Sequence, residues 1–132
     1  MRISTGIDMV LISRIEKHLS DEKGTFITRC FTPEEMRYCD GLTGKRRAES
    51  YAARFAAKEA AAKALGTGVM TEGIGLTDFE IIKEEKGAPR LEFRGRALEE
   101  ARRLNVTSAS ISLTHEGEYA IASCALLMED CQ

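Results

Sequence analysis

From Arg47 to Leu65 the chain runs without proline or glycine, is rich in alanine, and is followed at once by Gly66. Alanine is the best helix former, and a glycine just past the last helical residue supplies a left-handed cap. The run therefore predicts one long helix. Tyr51, Phe55 and Glu59 recur every four residues and so share a face, which the two aromatic rings turn inward together with the Glu59 carboxylate. A carboxylate on an inward row needs a cation. Lys63, four residues further on, offers an ordinary helix ion pair, whereas Arg54 and Lys58, also four apart, repel each other unless an anion lies between them.

That local charge is unusual for this chain. Its 132 residues carry nineteen Lys and Arg against twenty-one Asp and Glu, a formal charge of −2, which argues against a general nucleic-acid binder. From Thr43 to Gly68, however, the basic residues Lys45, Arg46, Arg47, Arg54, Lys58 and Lys63 face only Glu49 and Glu59. Either an anionic ligand sits against this segment or it is a solvated basic helix face. The glycines at 66, 68, 73 and 75 follow the helix instead of opening it, and no Gly-Lys-Ser/Thr occurs, so Rossmann and P-loop phosphate cradles are excluded by order.

The remaining elements follow from alternation and punctuation. Met1 to Ile12 alternates around Ile3, Ile7, Met9 and Leu11, with Ser4, Gly6 and Asp8 on the other parity, which predicts a half-buried strand with Asp8 pointing away from the Ile7 face. A short helix is expected from Ser13 to Leu19 and a turn at Ser20–Gly24. Thr32-Pro33-Glu34-Glu35 opens another helix, with Thr32 as N-cap, Pro33 at N1 and Glu35 at the capping-box position, ending near Asp40-Gly41. Asp78 to Ile82 and a strand around Leu91 and Phe93 flank a turn at Lys86–Pro89. Arg96 to Leu104 reads as a helix, and Ser108–Thr114 and Tyr119–Leu127 as strands about Glu116-Gly117.

Irregularly mixed helices and hairpins predict an α+β fold, a largely antiparallel sheet packed with a long helix, in a single domain over residues 1–132. At 43% hydrophobic and 30% charged residues the chain is of ordinary globular composition. No apolar stretch approaches the roughly 18 to 20 residues of a membrane span, and the amino terminus lacks a signal-peptide pattern, so a cytoplasmic protein without a membrane partner is expected. Cys30, Cys39, Cys124 and Cys131 form no Cys-x-x-Cys pair and read as buried, reduced thiols.

Gly6-Ile7-Asp8 with Arg14 following, Phe31-Thr32-Pro33-Glu34-Glu35, and the run Arg54-Phe55-Ala56-Ala57-Lys58-Glu59-Ala60-Ala61-Ala62-Lys63-Ala64-Leu65-Gly66-Thr67-Gly68 resemble the holo-acyl-carrier-protein synthase family. This is the short bacterial group of 4′-phosphopantetheinyl transferases. Gly87-Ala88-Pro89, Leu91-x-Phe93-x-Gly95 and Ser112-Leu113-Thr114-His115 extend the likeness in order over nearly the whole chain.

The resemblance implies a 4′-phosphopantetheinyl transferase-like fold and transfer of 4′-phosphopantetheine from coenzyme A to a serine of apo acyl carrier protein, in support of fatty acid biosynthesis. It implies that Asp8 and Glu59 hold Mg²⁺ against the coenzyme A diphosphate, and that Lys63 sits on the same diphosphate. It further implies that Lys45, Arg54 and Lys58 meet the phosphates, that the Gly66-Thr67-Gly68 turn walls the pocket, and that His115 contacts coenzyme A. Glu59 is the candidate proton acceptor, with Lys63 beside it as the second catalytic candidate. Arg14 and Lys17, with Phe26 nearby, would meet the acidic carrier. Longer single-chain relatives have a second acid two residues after the first Asp, where this sequence has Val10. That difference suits the short group, whose subunits assemble as homotrimers with sites between neighbours. The alternative is a non-catalytic trimeric module that binds anionic nucleotides or acidic helices through Lys45–Lys63 and needs neither Asp8 nor Glu59.

Overall fold

The alanine-rich run is a helix, α4, spanning Lys45–Leu65, and Gly66 caps it at φ 85° in the left-handed region. The computed structural model describes residues 1–67 and 73–130, so Gly68 of the anticipated pocket wall and Cys131 lie outside the described residues. Preceding α4 are β1 (Arg2–Leu11), α1 (Ile12–Leu19), α2 (Thr25–Cys30) and α3 (Pro33–Asp40). After it come a single 3-10 turn at Leu76–Asp78, β2 (Phe79–Ile82), β3 (Arg90–Phe93), α5 (Gly95–Arg103), β4 (Val106–Glu116) and β5 (Tyr119–Met128). The short α2 carries no periodic signal that a sequence reading could use, and it was not expected.

β1, β5 and β4 form a three-stranded antiparallel sheet in that order, while β2 and β3 form a separate hairpin. The α4 helix lies across one face of the larger sheet, and its buried alanines, with Tyr51, Phe55, Leu126 and Met128, form much of the core. Small side chains let the helix come close. Ser4 Oγ donates to Ala64 O at 2.6 Å, and Gly6 presses its backbone against the helix at Ala60.

This close approach reverses the expected burial of β1. Ser4, Gly6, Asp8 and Val10 face α4, whereas Ile3, Ile7, Met9 and Leu11 point outward, with Ile7 63% and Met9 59% exposed. Alternation gave the strand, but the parity that meets the helix is the one with small residues, because only they admit it. Tyr119, paired with Leu11, extends the outward apolar face.

The helix start at Thr32 forms as predicted: Thr32 Oγ1 accepts from the Glu35 backbone N–H at 3.3 Å, and Glu35 Oε1 accepts from the Thr32 N–H at 2.8 Å. Cys30, Cys39 and Cys124 are free and buried, and burial raises the thiol pKa of Cys30 and of Cys124 to about 11. Among the described residues no helix is long and apolar enough to cross a membrane.

Candidate active site

The β1–α4 contact brings Asp8, on the strand, to the side of the helix that carries Glu59 and Lys63. Lys63 Nζ donates to Asp8 Oδ1 at 3.2 Å and to Ile7 O at 2.9 Å, so it pairs with the strand acid. Glu59 is half-buried at the end of the row begun by Tyr51 and Phe55, both buried as expected. Desolvation raises the Glu59 pKa above the usual carboxylate range, and the charge of Asp8 raises it further, against the opposing pull of Lys63 and Arg14. Arg14, exposed on α1, thus stands within electrostatic reach of the two acids as well as on a candidate docking surface, a role the sequence reading did not give it. Lys17 lies exposed on the same helix.

Two carboxylates held near each other beside one lysine make an oxygen-only donor set. No cluster of three or more His, Cys, Asp or Glu positioned for a metal occurs among the described residues, which argues against a closed zinc site. The pair does fit Mg²⁺, which keeps several waters and takes one or two protein carboxylates plus phosphate oxygens. Next to it a cavity of about 530 Å³ is lined by Thr5, Gly6, Ile7, Lys63, Ser123 and Cys124.

The basic strip is less continuous than its sequence. Lys58 is 0% exposed and pairs with Glu35 at 2.6 Å, while its ammonium donates to Phe79 O at 2.7 Å and Leu76 O at 3.2 Å. Its expected role on a coenzyme A phosphate is therefore corrected: the side chain leaves the helix on the core side, where its four-carbon stem reaches an acid of α3. Arg54 is also buried, stacked 4.3 Å over the Tyr38 ring and donating to Ser50 Oγ at 2.7 Å, while its Nε has no partner among the described residues. It opens to a cavity of about 250 Å³ shared with Arg37, Tyr38 and Lys83.

Lys45 and Arg46 remain exposed at the first turn of α4, and Gly66 is exposed at its far end. His115, at the end of β4, places Nδ1 3.4 Å from Glu49 Oε2 and lines a cavity of about 220 Å³ with Tyr38, Leu42 and Arg46. From Glu49 to Lys63 the helix rises roughly 20 Å. The chain therefore holds two polar centres apart: the acids with Lys63 toward one end of α4, and His115 with the exposed basic residues at the other.

A family model described as the 4′-phosphopantetheinyl transferase superfamily matches residues 4–124. The chain belongs to this superfamily. Among curated proteins, the holo-acyl-carrier-protein synthase of Koribacter versatilis is 42% identical over 130 residues, covering 98% of this chain and all of that one. The synthase of Geobacter sulfurreducens is 40% identical over 126 residues, covering 96% and 98%. A crystal structure of the Helicobacter pylori holo-acyl-carrier-protein synthase in complex with coenzyme A superposes with a TM-score of 0.79 at 34% identity, covering 93% of this chain and 99% of that one. The α+β phosphopantetheinyl transferase fold expected from the sequence is thus found, and the synthase family with it.

Proposed function

We propose that this protein is a holo-acyl-carrier-protein synthase that transfers 4′-phosphopantetheine from coenzyme A to a serine hydroxyl of apo acyl carrier protein and releases adenosine 3′,5′-bisphosphate. The observation that carries the reading is the half-buried Glu59 beside Asp8 and Lys63, in a chain coextensive with its synthase relatives. Asp8 and Glu59 would hold Mg²⁺, which supplies charge neutralisation at a diphosphate. Lys63 supports the same negative charge from the helix side. The serine oxygen forms a bond to the phosphorus that carries the pantetheine arm, the bond from that phosphorus to the nucleotide phosphate oxygen breaks, and the serine proton passes to Glu59. A raised carboxyl pKa suits that last task, because it brings a base closer to working pH. Positioning and electrostatics do most of what phosphoryl transfer requires. Arg14 and Lys17 present positive charge to an acidic carrier, and the reaction supports fatty acid synthesis in the cytoplasm.

The outward face of β1 and β5 supports a homotrimer. Ile3, Ile7, Met9, Leu11 and Tyr119 form an exposed apolar strip, interrupted by Thr5, on a sheet whose other face is covered by α4. Closure around a three-fold axis would cover it and bring one subunit's His115 region toward a neighbour's Asp8–Glu59 pair, joining the two centres that a single chain keeps apart. Met9→Glu alters an exposed side chain and should leave the monomer fold intact while shifting the sedimenting species from trimer to monomer and removing most of the activity. An unchanged trimer with full activity would overturn this assembly.

The function itself is tested by incubating the protein with coenzyme A, Mg²⁺ and apo carrier, then weighing the carrier by mass spectrometry. A phosphopantetheine mass gain is expected. No gain with a carrier that a second transferase modifies would leave an anion-binding module as the better account.

A further inference from the structure

Lys58 and Glu59 are adjacent on α4, about 100° apart around the axis, so that whatever fixes the direction of one fixes the other. All three ammonium donors of Lys58 are used: Glu35 Oε1 at 2.6 Å, Phe79 O at 2.7 Å and Leu76 O at 3.2 Å. Glu35 is in turn held by the Thr32 N–H at 2.8 Å on Oε1 and the Ile81 N–H at 2.8 Å on Oε2. One buried ion pair thus ties α4 to the start of α3, to the 3-10 turn and to β2. Glu80, which accepts from Thr32 and from Arg94, extends the same network to the end of β3.

The first half of α4 is anchored by large side chains, Tyr51 through its hydroxyl on Asp40 at 2.8 Å and Arg54 over the Tyr38 ring. In the turns that carry Glu59 the buried side chains other than Lys58 are alanines: Ala56, Ala57, Ala60, Ala61, Ala62 and Ala64. Alanine ridges are low and resist rotation little, so beside the backbone contact with Gly6 it is Lys58, the one long buried side chain of these turns, that gives this half of the helix a fixed direction. A buried ion pair is moreover poor at adding stability, since apolar side chains of similar volume commonly serve as well, and its best-attested use is to fix register. We propose that the Lys58–Glu35 pair is a positioning element of the site: from the side of α4 opposite β1 it holds the rotation of the helix so that Glu59 and Lys63 meet Asp8. A turn of 20° about the helix axis would carry a side-chain tip about 2 Å, enough to separate the two carboxylates as joint ligands. Misplacement by even 1 Å typically costs on the order of a hundredfold in rate.

The inference rests on the transferase reading, and its test keeps the two apart. Three variants are compared with the natural chain: Lys58→Met, the double variant Lys58→Met with Glu35→Gln, and Glu35→Asp, which keeps both charges but draws Lys58 in by one methylene. For each, the melting temperature, the Mn²⁺ affinity by calorimetry, and kcat and KM for coenzyme A and carrier are measured. Lys58→Met alone should melt lower, because it strands a buried carboxylate. The double variant removes the stranded charge and should recover part of that loss, the unpaired backbone groups around Gln and Met keeping the rest, yet bind Mn²⁺ about tenfold more weakly and turn over about a hundredfold more slowly, with carrier KM unchanged. Glu35→Asp should remain folded with the same two losses in smaller measure. A double variant, or a folded Glu35→Asp, with natural Mn²⁺ affinity and kcat would overturn the positioning role and leave the pair purely structural. If the natural chain itself moves no phosphopantetheine or binds no Mn²⁺, the transferase reading fails, and the positioning role fails with it.

Discussion

Glu59→Gln is expected to make the metal-free protein slightly more stable at neutral pH while lowering kcat by about a thousandfold, within the range for loss of a general base. The folded-state pKa of Glu59 is raised by burial and by Asp8, whereas in the unfolded chain the carboxyl keeps its ordinary value. As pH rises, the unfolded chain gives up this proton first. Between the ordinary and the raised value the folded state holds more protons, so stability falls with pH through that window, and the penalty persists above it. A neutral glutamine removes the penalty. With Mg²⁺ the order reverses: the natural chain gains stability from a ligand that binds only its folded form, and the variant, with Asp8 alone, does not. Melting curves at pH 7 with a chelator and with excess Mg²⁺ read both effects, and single-turnover transfer reads the chemistry. Natural turnover of the variant at saturating Mg²⁺ would remove Glu59 as the base, and an undiminished Mg²⁺-induced rise in melting temperature would remove it as a ligand. For the natural chain, the Mg²⁺-induced rise in melting temperature should shrink as pH falls into the same window, because a proton and the cation compete for one carboxylate.

How far the sequence could be read depended on whether an element's signal was local. The capping box at Thr32 and Glu35 involves neighbours only, and it formed as the spacing predicts. The row from Tyr51 through Phe55 to Glu59 was legible because helical period alone puts the three together. What was not legible were the matters decided by a second element. Alternation in β1 defines two faces but not which one meets a helix; the large residues were the natural core candidates, and the small ones won because α4 needs room. Lys58 looked like one more cation of a ligand-facing strip, yet its direction was set by Glu35, distant in sequence and close in space. The same glutamate was already in view as the capping-box acid, and a single oxygen, Oε1, serves both the cap and the lysine. The exposed strip on β1 likewise has no explanation within one chain.

Gly6→Ala should have the largest effect of any methyl group added to the described glycines. The φ of Gly6 is not positive, so conformational freedom is not the reason for a glycine here; space is. A Cβ at this position would lie 2.0 Å from Ala60 O, 2.8 Å from Ala64 N and 3.0 Å from Ala60 C, all backbone atoms of α4. No rotamer change on either side relieves contacts with backbone, and substituting Ala60 or Ala64 removes none of the three atoms. Strand and helix must therefore separate by about 1 Å or more, with an overpacking cost of about 1 to 3 kcal/mol. For a chain of this length that lowers the melting temperature by roughly 3 to 15 °C. Asp8 lies two residues further along the same face of β1, and Glu59 is the residue next to the clash on α4. The separation consequently opens the gap between the two proposed ligands directly, so the Mg²⁺-induced stabilisation should vanish and kcat should fall by at least about a hundredfold even at temperatures where the variant is folded. Glu85→Ala, in the exposed turn between β2 and β3 and away from β1 and α4, is the control: it shortens an exposed side chain and should leave both melting temperature and metal response near natural values. A Gly6→Ala protein that melts and binds Mg²⁺ like the natural chain would mean that β1 does not rest on α4 at Ala60, and that this contact does not set the distance between Asp8 and Glu59.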